Sequence, residues 1–390
     1  MRLVLTAACL LSLGGAVAAA PFVPATDDQV LATVPARASD ARARELAALR
    51  AAWRAAPNEL PTALALARRC FEEVAAEGDP RYIGHAQAAL GPWWNLQDPP
   101  PEVRVLRAMV LQFDHRFDPA LDDLAAAVRA QPDNAEAWAW RAAILMVRAD
   151  YPEARRSCEA LAALASPLTG AACRAQVDAA TGRAGPAAGA LRQALDRGRG
   201  ADAAARLWAL TRLAETEERL GRSAEAEAAF QAALATGVPD VYLQAAYADF
   251  LLDRGRATEV LTLLKDGGRA DVLLLRLALA AKAAGDARAA VFAGELAARF
   301  DAAQRRGDNS HRKEQSRFLL ALRGDVPQAL ALARANWAEQ REPADARILL
   351  EAAVAARDAA AAQPVLDWMA RSGIESVALR GLAARLQAPR

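Results

Sequence analysis

The sequence predicts an all-α solenoid of antiparallel helix hairpins, and three observations support this fold class. Residues 101–134 align with residues 135–168 in constant register, so that Ala120 coincides with Ala154. A repeat of this length is typical of helical hairpins that bury one face only against a neighbouring hairpin. Aromatic residues make up 5% of the chain while Ala and Leu dominate, which suits closely packed helices. Alternating runs of β-branched residues are absent, so we expect no sheet.

The charge balance argues against nucleic acid and anionic membranes as partners. The 390 residues include 48 basic and 47 acidic side chains, and almost all of the basic ones are Arg. A balanced surface lacks the positive field that polyanions require. We therefore expect a protein or peptide partner and no nucleic acid.

The segment 1–38 differs from the rest of the chain. Arg2, the apolar run 3–17 and the small residues Ala16 and Ala18 predict a Sec-type signal peptide over 1–18. The apolar run is shorter than the roughly 20 residues that a membrane span requires, so we expect no span in the mature chain and a periplasmic or secreted location. Residues 19–38 contain three prolines without helical periodicity and predict a disordered linker.

Helical periodicity then continues to the end of the chain. We predict helical repeats over 39–300, a polar joint over 301–310 where charged and amide residues cluster, and further repeats with a capping helix over 311–390. Gly-centred turns recur between the apolar segments, and the pattern predicts seven or eight hairpins.

Two of the four cysteines form a candidate disulfide. Cys158 lies on the second helix of one predicted hairpin and Cys173 on the first helix of the next, with the turn at Ser166 near their midpoint. Antiparallel helices would bring the two thiols together, and export would permit oxidation. The alternative is that both are small buried apolar residues. Cys70 has no evident partner.

The repeat positions carry a family resemblance. Trp138, Ala142, Leu145, Ala154 and Leu161 occupy places that tetratricopeptide repeats (TPRs) give to Trp, small, large apolar, Ala and Ala residues. The chain therefore resembles TPR proteins of the exported bacterial type over about residues 60–370. Arg141, which replaces the usual Leu, and a longer spacing from Ala187 to Ala226 depart from the pattern. HEAT repeats and the superhelical part of lytic transglycosylases are the alternative helical repeats.

The resemblance implies a right-handed superhelix whose first helices line a concave groove. Carried onto this numbering, the groove positions include aromatic, Met and charged side chains that suit a peptide ligand. The candidates are Glu102, Met109, Gln112, Phe113, Glu136, Met146, Trp208, Glu215, Arg219, Tyr242 and Asp249. The alternative for each is packing against the next helix.

No catalytic motif is present in the sequence. It contains no phosphate-binding G-x-x-x-x-G-K loop, G-x-S-x-G elbow, H-E-x-x-H or C-x-x-C pair. Ser310 and Lys313 fit S-x-x-K, but the companion K-T-G motif is absent, and we interpret this match as a coincidence. We therefore expect no catalytic residues, no metal site and no cofactor.

These patterns support two main hypotheses of function. The first is a non-enzymatic periplasmic scaffold that binds a protein or peptide in its concave groove and supports envelope assembly or a transport or secretion system. The second is a superhelical subunit or frame of an enzyme that acts on cell-wall glycan. A third hypothesis is an exported oligomerisation unit.

Overall fold

The computed structural model describes Thr26 and residues 41–387 apart from Asn309. The predicted signal peptide, and the predicted linker except Thr26, lie outside the described residues. The chain divides into two compact units, Met1–Glu45 and Leu46–Arg390, and the hairpins discussed below belong to the second.

The described residues contain helices and no strand, which confirms the all-α prediction. The helices are α1 Ala41–Ala55, α2 Leu60–Glu77, α3 Arg81–Ala89, α4 Gly91–Trp94, α5 Pro101–Phe113, α6 Phe117–Ala130, α7 Ala135–Val147, α8 Tyr151–Leu164, α9 Pro167–Ala180, α10 Ala184–Arg197, α11 Ala203–Arg219, α12 Ser223–Leu234, α13 Val241–Leu252, α14 Ala257–Leu263, α15 Asp271–Ala284, α16 Ala289–Arg305, α17 Arg312–Phe318, α18 Val326–Glu339, α19 Pro343–Ala356, α20 Ala359–Ser372 and α21 Val377–Gln387. A π-helical turn at Leu319–Arg323 extends α17.

Within the described part of 60–372 the helices form nine hairpins, numbered here 1 to 9: α2/α3, then the six consecutive pairs from α5/α6 to α15/α16, then α17/α18 and α19/α20. The turn of each hairpin contains one residue with positive φ. These residues are Gly78, His115, Ala149, Gly182, Gly221, Gly255, Gly285, Gly324 and Arg357. The structure has more hairpins than the seven or eight that the sequence predicted. Some turns, such as those at Gly182 and Gly221, are separated by more residues than one repeat, and this irregular spacing obscures the repeat period.

The repeat register of the sequence is present in the structure. The starts of α6 and α8 are separated by the same number of residues as the starts of α12 and α14. This number equals the offset of the sequence alignment. The small residues Ala120, Ala154 and Ala226 have no exposed surface on these second helices, and Val260 takes the same place on α14. Small side chains there let the paired helices approach closely. The protein is therefore a TPR-like helical repeat, as predicted.

Local sequence fixes where many of the helices begin. The side chains of Asn134, Asp150, Ser166, Asp202 and Asp240 each accept a hydrogen bond from a backbone N–H of the first helical turn. Such caps stabilise a helix by about 1 kcal/mol each because they satisfy N–H groups that the helix leaves unpaired.

Cys158 and Cys173 form a disulfide between α8 and α9, with their Cα atoms 5.3 Å apart. The bond joins hairpin 3 to hairpin 4. Both residues are also buried, so they fill the core as well as crosslink it. Cys70 is a buried free thiol.

The predicted polar joint over 301–310 is partly helical, since α16 continues to Arg305. The apolar side chains of Phe300 and Ala303 are buried at 3% and 5% exposure, which favours continuation of the helix through the charged residues. The segment between α16 and α17 is therefore 306–311.

The turns of hairpins 2 to 4 contact the C-terminal part of the unit, and we call this set of contacts the inter-turn seam. Four hydrogen bonds form it: His115 with Gln340 at 3.3 Å, Val147 with Arg341 at 2.8 Å, Tyr151 with Trp368 at 3.0 Å, and Ala184 with Glu375 at 2.7 Å. The backbones of Gly182 and Gly373 also meet there, because a Cβ added to Gly182 would lie 3.1 Å from the Gly373 carbonyl oxygen.

Candidate functional site

Two of the predicted groove residues belong to the core instead. Met109 and Met146 are only 6% and 8% exposed and pack within hydrophobic clusters. The prediction that they face a ligand is wrong, because both side chains fill space between neighbouring helices, which was the alternative for each position.

Two predicted acidic groove residues have partners within the chain. Glu136 on α7 forms an ion pair with Arg68 on α2, with N and O atoms 2.6 Å apart. Glu102 accepts a hydrogen bond from the Gln131 amide at 2.9 Å, which holds the pKa of its carboxyl below the usual range. The Arg68 bridge joins hairpin 1 to hairpin 3.

Asp249 joins three hairpins. Its carboxylate pairs with Arg276 of α15 and Arg317 of α17, each at 2.6 Å. Burial alone would raise the pKa of Asp249, but the two guanidinium groups outweigh it and hold the pKa well below the usual value. A second bridge joins Asp253, one turn further along α13, to Arg347 of α19. Side-chain bridges therefore cross the predicted groove in this half of the unit.

Four predicted residues line the interior between α11 and α13. Trp208, Glu215 and Arg219 lie on one face of α11, and Tyr242 stands at the start of α13. The Tyr242 hydroxyl hydrogen-bonds to the Glu215 carboxylate. Trp208 is half-buried and packs against two core clusters.

The remaining two candidates, Gln112 and Phe113, lie at the end of α5, next to two adjoining cavities of 490 and 270 Å³. The cavities share Asp114, Asp308 and Ser310, and we call them together the joint cleft. Their lining combines hairpins 1 and 2 with the segment 306–311 and the end of α18. Phe113 lines the smaller cavity, whereas Gln112 is in neither lining.

The smaller cavity of the joint cleft has an apolar wall. Pro80 and Ile83 of hairpin 1 face Phe113 of hairpin 2 across it. The Phe113 ring is half-buried, so part of its surface remains accessible. An apolar side chain of a ligand could cover this surface and gain about 25 cal/mol for each Å² removed from water.

The larger cavity is lined by charged groups. Arg312 pairs with Glu339 at 2.6 Å, and Ser310 donates a 2.6 Å hydrogen bond to Asp308. Arg116 and Arg306 are exposed, and neither has an ion pair among the residues that the structure describes. Their charges act on Asp114 and Asp308 of the same lining, but with no direct ion pair both guanidinium groups can still bind an acceptor from outside the chain.

His115 connects the joint cleft to the inter-turn seam. Its backbone has φ of 57°, and its ring stacks on Phe117 with centroids 5.6 Å apart. Burial lowers the pKa of the imidazole, which favours the neutral ring near pH 7. In that form its Nδ1 can accept a hydrogen bond from the Gln340 side-chain amide. A ligand in the joint cleft would therefore lie beside the seam.

Most residues of the joint cleft carry no site signal in the sequence. His115, Arg116 and Arg306 were not predicted as site residues, although the polar joint was a signal for the segment that carries Arg306. Ser310 and Lys313 take different partners, Asp308 and Asp345, which agrees with the interpretation of the S-x-x-K match as a coincidence.

The described residues include no group of three or more His, Cys, Asp or Glu side chains placed to hold a metal ion. None of the helices within that part of the chain is both long and apolar enough to span a membrane.

Comparison with known proteins gives only distant structural likenesses. No protein-family model matches the chain, and no curated protein matches it. The chain is similar to a tetratricopeptide repeat protein from Parabacteroides merdae at 16% identity and a TM-score of 0.38, over 65% of this chain and 98% of that one.

Two further likenesses cover more of the chain. The human IFIT1 dimer with m7Gppp-AAAA matches at 14% identity and a TM-score of 0.47, over 89% of this chain and 87% of that one. Yeast Tom70 matches at 12% identity and a TM-score of 0.22, over 83% and 95%.

Proposed function

We propose that this protein is a non-enzymatic scaffold that binds a segment of a partner protein in the joint cleft. The observation that carries the proposal is the cleft itself, in which an apolar wall at Phe113 adjoins two arginines, Arg116 and Arg306, that have no ion pair within the described chain. An apolar surface with a few convergent polar groups is the usual form of a binding site.

The joint cleft is a better candidate than the concave groove predicted from the sequence. Arg68, Arg317 and Arg347 cross that groove in ion pairs with carboxylates of other hairpins. A peptide lying along the groove would have to break these bridges, and the Arg317–Asp249 pair, with side chains 15% and 25% exposed, would leave poorly hydrated charges behind. The joint cleft requires no such rearrangement.

The chemistry of the joint cleft indicates what the bound segment carries. The smaller cavity suits an apolar side chain against Ile83 and Phe113, and the larger one suits a carboxylate between Arg116 and Arg306. Arginine binds carboxylates through two parallel hydrogen bonds, which fixes orientation as well as affinity. We therefore propose an extended partner segment in which an acidic residue lies next to an apolar one.

We also propose that the protein works in the periplasm or outside the cell, in envelope assembly or beside a transport or secretion system. The predicted signal peptide and the Cys158–Cys173 disulfide support this compartment, since disulfides persist where the environment is oxidising.

Site-specific photocrosslinking in intact cells tests the proposal. A photoreactive amino acid at Gln87, an exposed residue of the joint cleft, should capture one protein. The Arg116→Glu and Arg306→Glu variants should reduce this product about tenfold, because they place like charges opposite the partner carboxylate.

Arg129→Glu is the matched control. Arg129 is exposed at the far end of α6 and has no ion pair among the described residues, so its reversal should leave the crosslink unchanged. A crosslink that is insensitive to the cleft arginines, or equally sensitive to Arg129→Glu, would refute binding in the joint cleft.

A further inference from the structure

The interior face of α11 carries an arginine that the fold leaves unsatisfied. Arg212, Glu215 and Arg219 are spaced by three and four positions, so their side chains project from one face of the helix. Tyr242 of α13 lies against this face, and the Arg212 guanidinium stands 4.8 Å from the centre of the Tyr242 ring.

Glu215 is already engaged by two other donors. One of its oxygens pairs with Arg212 at 3.0 Å, and the other accepts the Tyr242 hydroxyl. This carboxylate is the nearest acidic group to Arg219 along the helix face. Its charge is shared between Arg212 and Arg219, so it offsets only part of the positive charge of Arg219.

Arg219 has only one weak hydrogen bond among the described residues. Its Nη2 lies 3.4 Å from the Thr216 hydroxyl, and its Nε is buried with no acceptor. Burial lowers the pKa of Arg219, and the positive charge of Arg212 acts in the same direction against the charge of Glu215. Even so, a guanidinium stays protonated in proteins, so the buried Nε–H group of Arg219 remains a donor without an acceptor among the described residues.

The space beside these side chains is open to solutes. Tyr242 is 52% exposed, and Arg212, Glu215 and Arg219 are half-buried. A solute can therefore reach this face of α11, and partial burial strengthens the interaction of the guanidinium groups with a bound anion.

We propose that Arg219, together with Arg212 and Tyr242, forms an interior binding site for a carboxylate group. The planar guanidinium of Arg219 matches a carboxylate in shape and can donate two parallel hydrogen bonds. A singly charged carboxylate suits this site better than a phosphate, because Glu215 stands next to it and would repel a dianion about twice as strongly. The carboxylate could belong to a free small molecule or to an acidic residue of a peptide.

Titration of the full mature chain with two probes tests this site and separates the sources. The probes are butyrate, which carries one carboxylate, and an acetylated, amidated peptide that contains a single Glu within Ala and Gly residues. Calorimetry at millimolar concentration and constant ionic strength measures their binding. The same peptide with Gln in place of Glu should not bind. Binding of butyrate alone would assign the site to small carboxylates, and binding of the Glu peptide alone would assign it to acidic peptides. Both results support the proposal.

Arg219→Gln separates a binding role from a structural one. The variant should bind the active probe at least about tenfold more weakly, because it loses the charge-assisted pair. Its unliganded urea midpoint should equal or exceed that of the wild type, since a half-buried charge that Glu215 offsets only in part is removed. Arg129→Gln, a change of the same type at an exposed site, should alter neither quantity.

Three results would overturn the proposal. They are the absence of binding of either probe to the wild type, equal binding by Arg219→Gln, and a lower urea midpoint for Arg219→Gln, which would show that its N–H groups are satisfied within the fold. A negative photocrosslinking result for the joint cleft would not affect these measurements, because the variants used here change none of the residues of the joint cleft.

Discussion

Replacing Gly182 with Ala should disrupt the inter-turn seam. Gly182 has φ of +76°, and a Cβ built there would lie 3.1 Å from the carbonyl oxygen of Gly373, whose own φ is +68°. A left-handed backbone costs a non-Gly residue about 1–2 kcal/mol. The contact with a backbone atom adds about 1–3 kcal/mol, as overpacking does in cores. The expected loss of unfolding free energy is therefore about 2–5 kcal/mol, the sum of these two costs.

Gly255→Ala is the matched control for this substitution. Gly255 has φ of +69° in the corresponding turn of hairpin 6, and a Cβ there would meet no atom within 4 Å. Only the backbone term remains, so we expect a loss of about 1–2 kcal/mol. Urea unfolding followed by circular dichroism measures both values, and amide hydrogen exchange should show faster opening of α20 and α21 in Gly182→Ala alone. Equal destabilisation by the two variants, with unchanged exchange in α20 and α21, would refute the seam.

Three further predictions concern covalent and electrostatic contributions. Replacing Cys158 and Cys173 together with Ser should destabilise the oxidised protein by about 3 kcal/mol, as the bond links positions separated by 15 in sequence, and a reductant should lower only the wild-type midpoint. Asp249→Asn should reduce the loss of unfolding free energy at acidic pH. The pKa of Asp249 is lower in the folded state than its ordinary value of 3.8, so this carboxylate contributes stability above pH 3.8, and that stability is lost as pH falls through the folded pKa. Glu218→Gln should have the opposite effect on the pH dependence of the unfolding free energy. Burial and the Asp253 charge raise the pKa of Glu218 to about 7. Its contribution to stability is therefore present below pH 4.5 and is lost as pH rises towards 7. Urea midpoints measured across pH test both, and unchanged slopes in either variant would contradict the assigned shift.

The fold class was accessible from sequence because it depends on local and nearest-neighbour packing. A constant repeat register and buried small residues such as Ala120 and Ala154 report the stacking of one hairpin on the next. The same register placed Cys158 and Cys173 on neighbouring helices, where the structure joins them. The number of hairpins was underestimated because the spacing between turns departs from the repeat, as it does between Gly182 and Gly221.

The candidate site was less accessible because it depends on contacts between distant segments. Arg116 and Arg306 lie far apart along the chain, and no periodic pattern indicates that they line one cavity. Transfer of the groove positions from TPR proteins also assumed an open concave face. Here long arginine side chains such as Arg317 and Arg347 bridge that face, and a sequence does not show which carboxylate a surface arginine will reach.

The inter-turn seam changes the expected energetics of this repeat protein. In a linear array each hairpin contacts only its neighbours, so stability is a sum of local terms and the ends open independently. Here hydrogen bonds connect pairs that are distant in sequence, namely Ala184 with Glu375, Tyr151 with Trp368, and His115 with Gln340. Opening of the C-terminal hairpins must therefore also release the turns of hairpins 2 to 4.

Through these hydrogen bonds, a ligand bound in the joint cleft can change the stability of helices that it does not contact. The joint cleft takes residues from both sides of the seam contact between His115 and Gln340, since Arg116 and Glu339 lie next to these two in sequence. A partner that contacts residues on both sides of this contact stabilises the form in which the seam is intact, by RT ln(1 + [L]/Kd) if it does not bind the opened form. Occupancy of the joint cleft should therefore slow hydrogen exchange in α20 and α21, although neither helix contributes to the cleft lining. A partner that binds the cleft while leaving this exchange unchanged would show that the cleft and the seam are energetically independent.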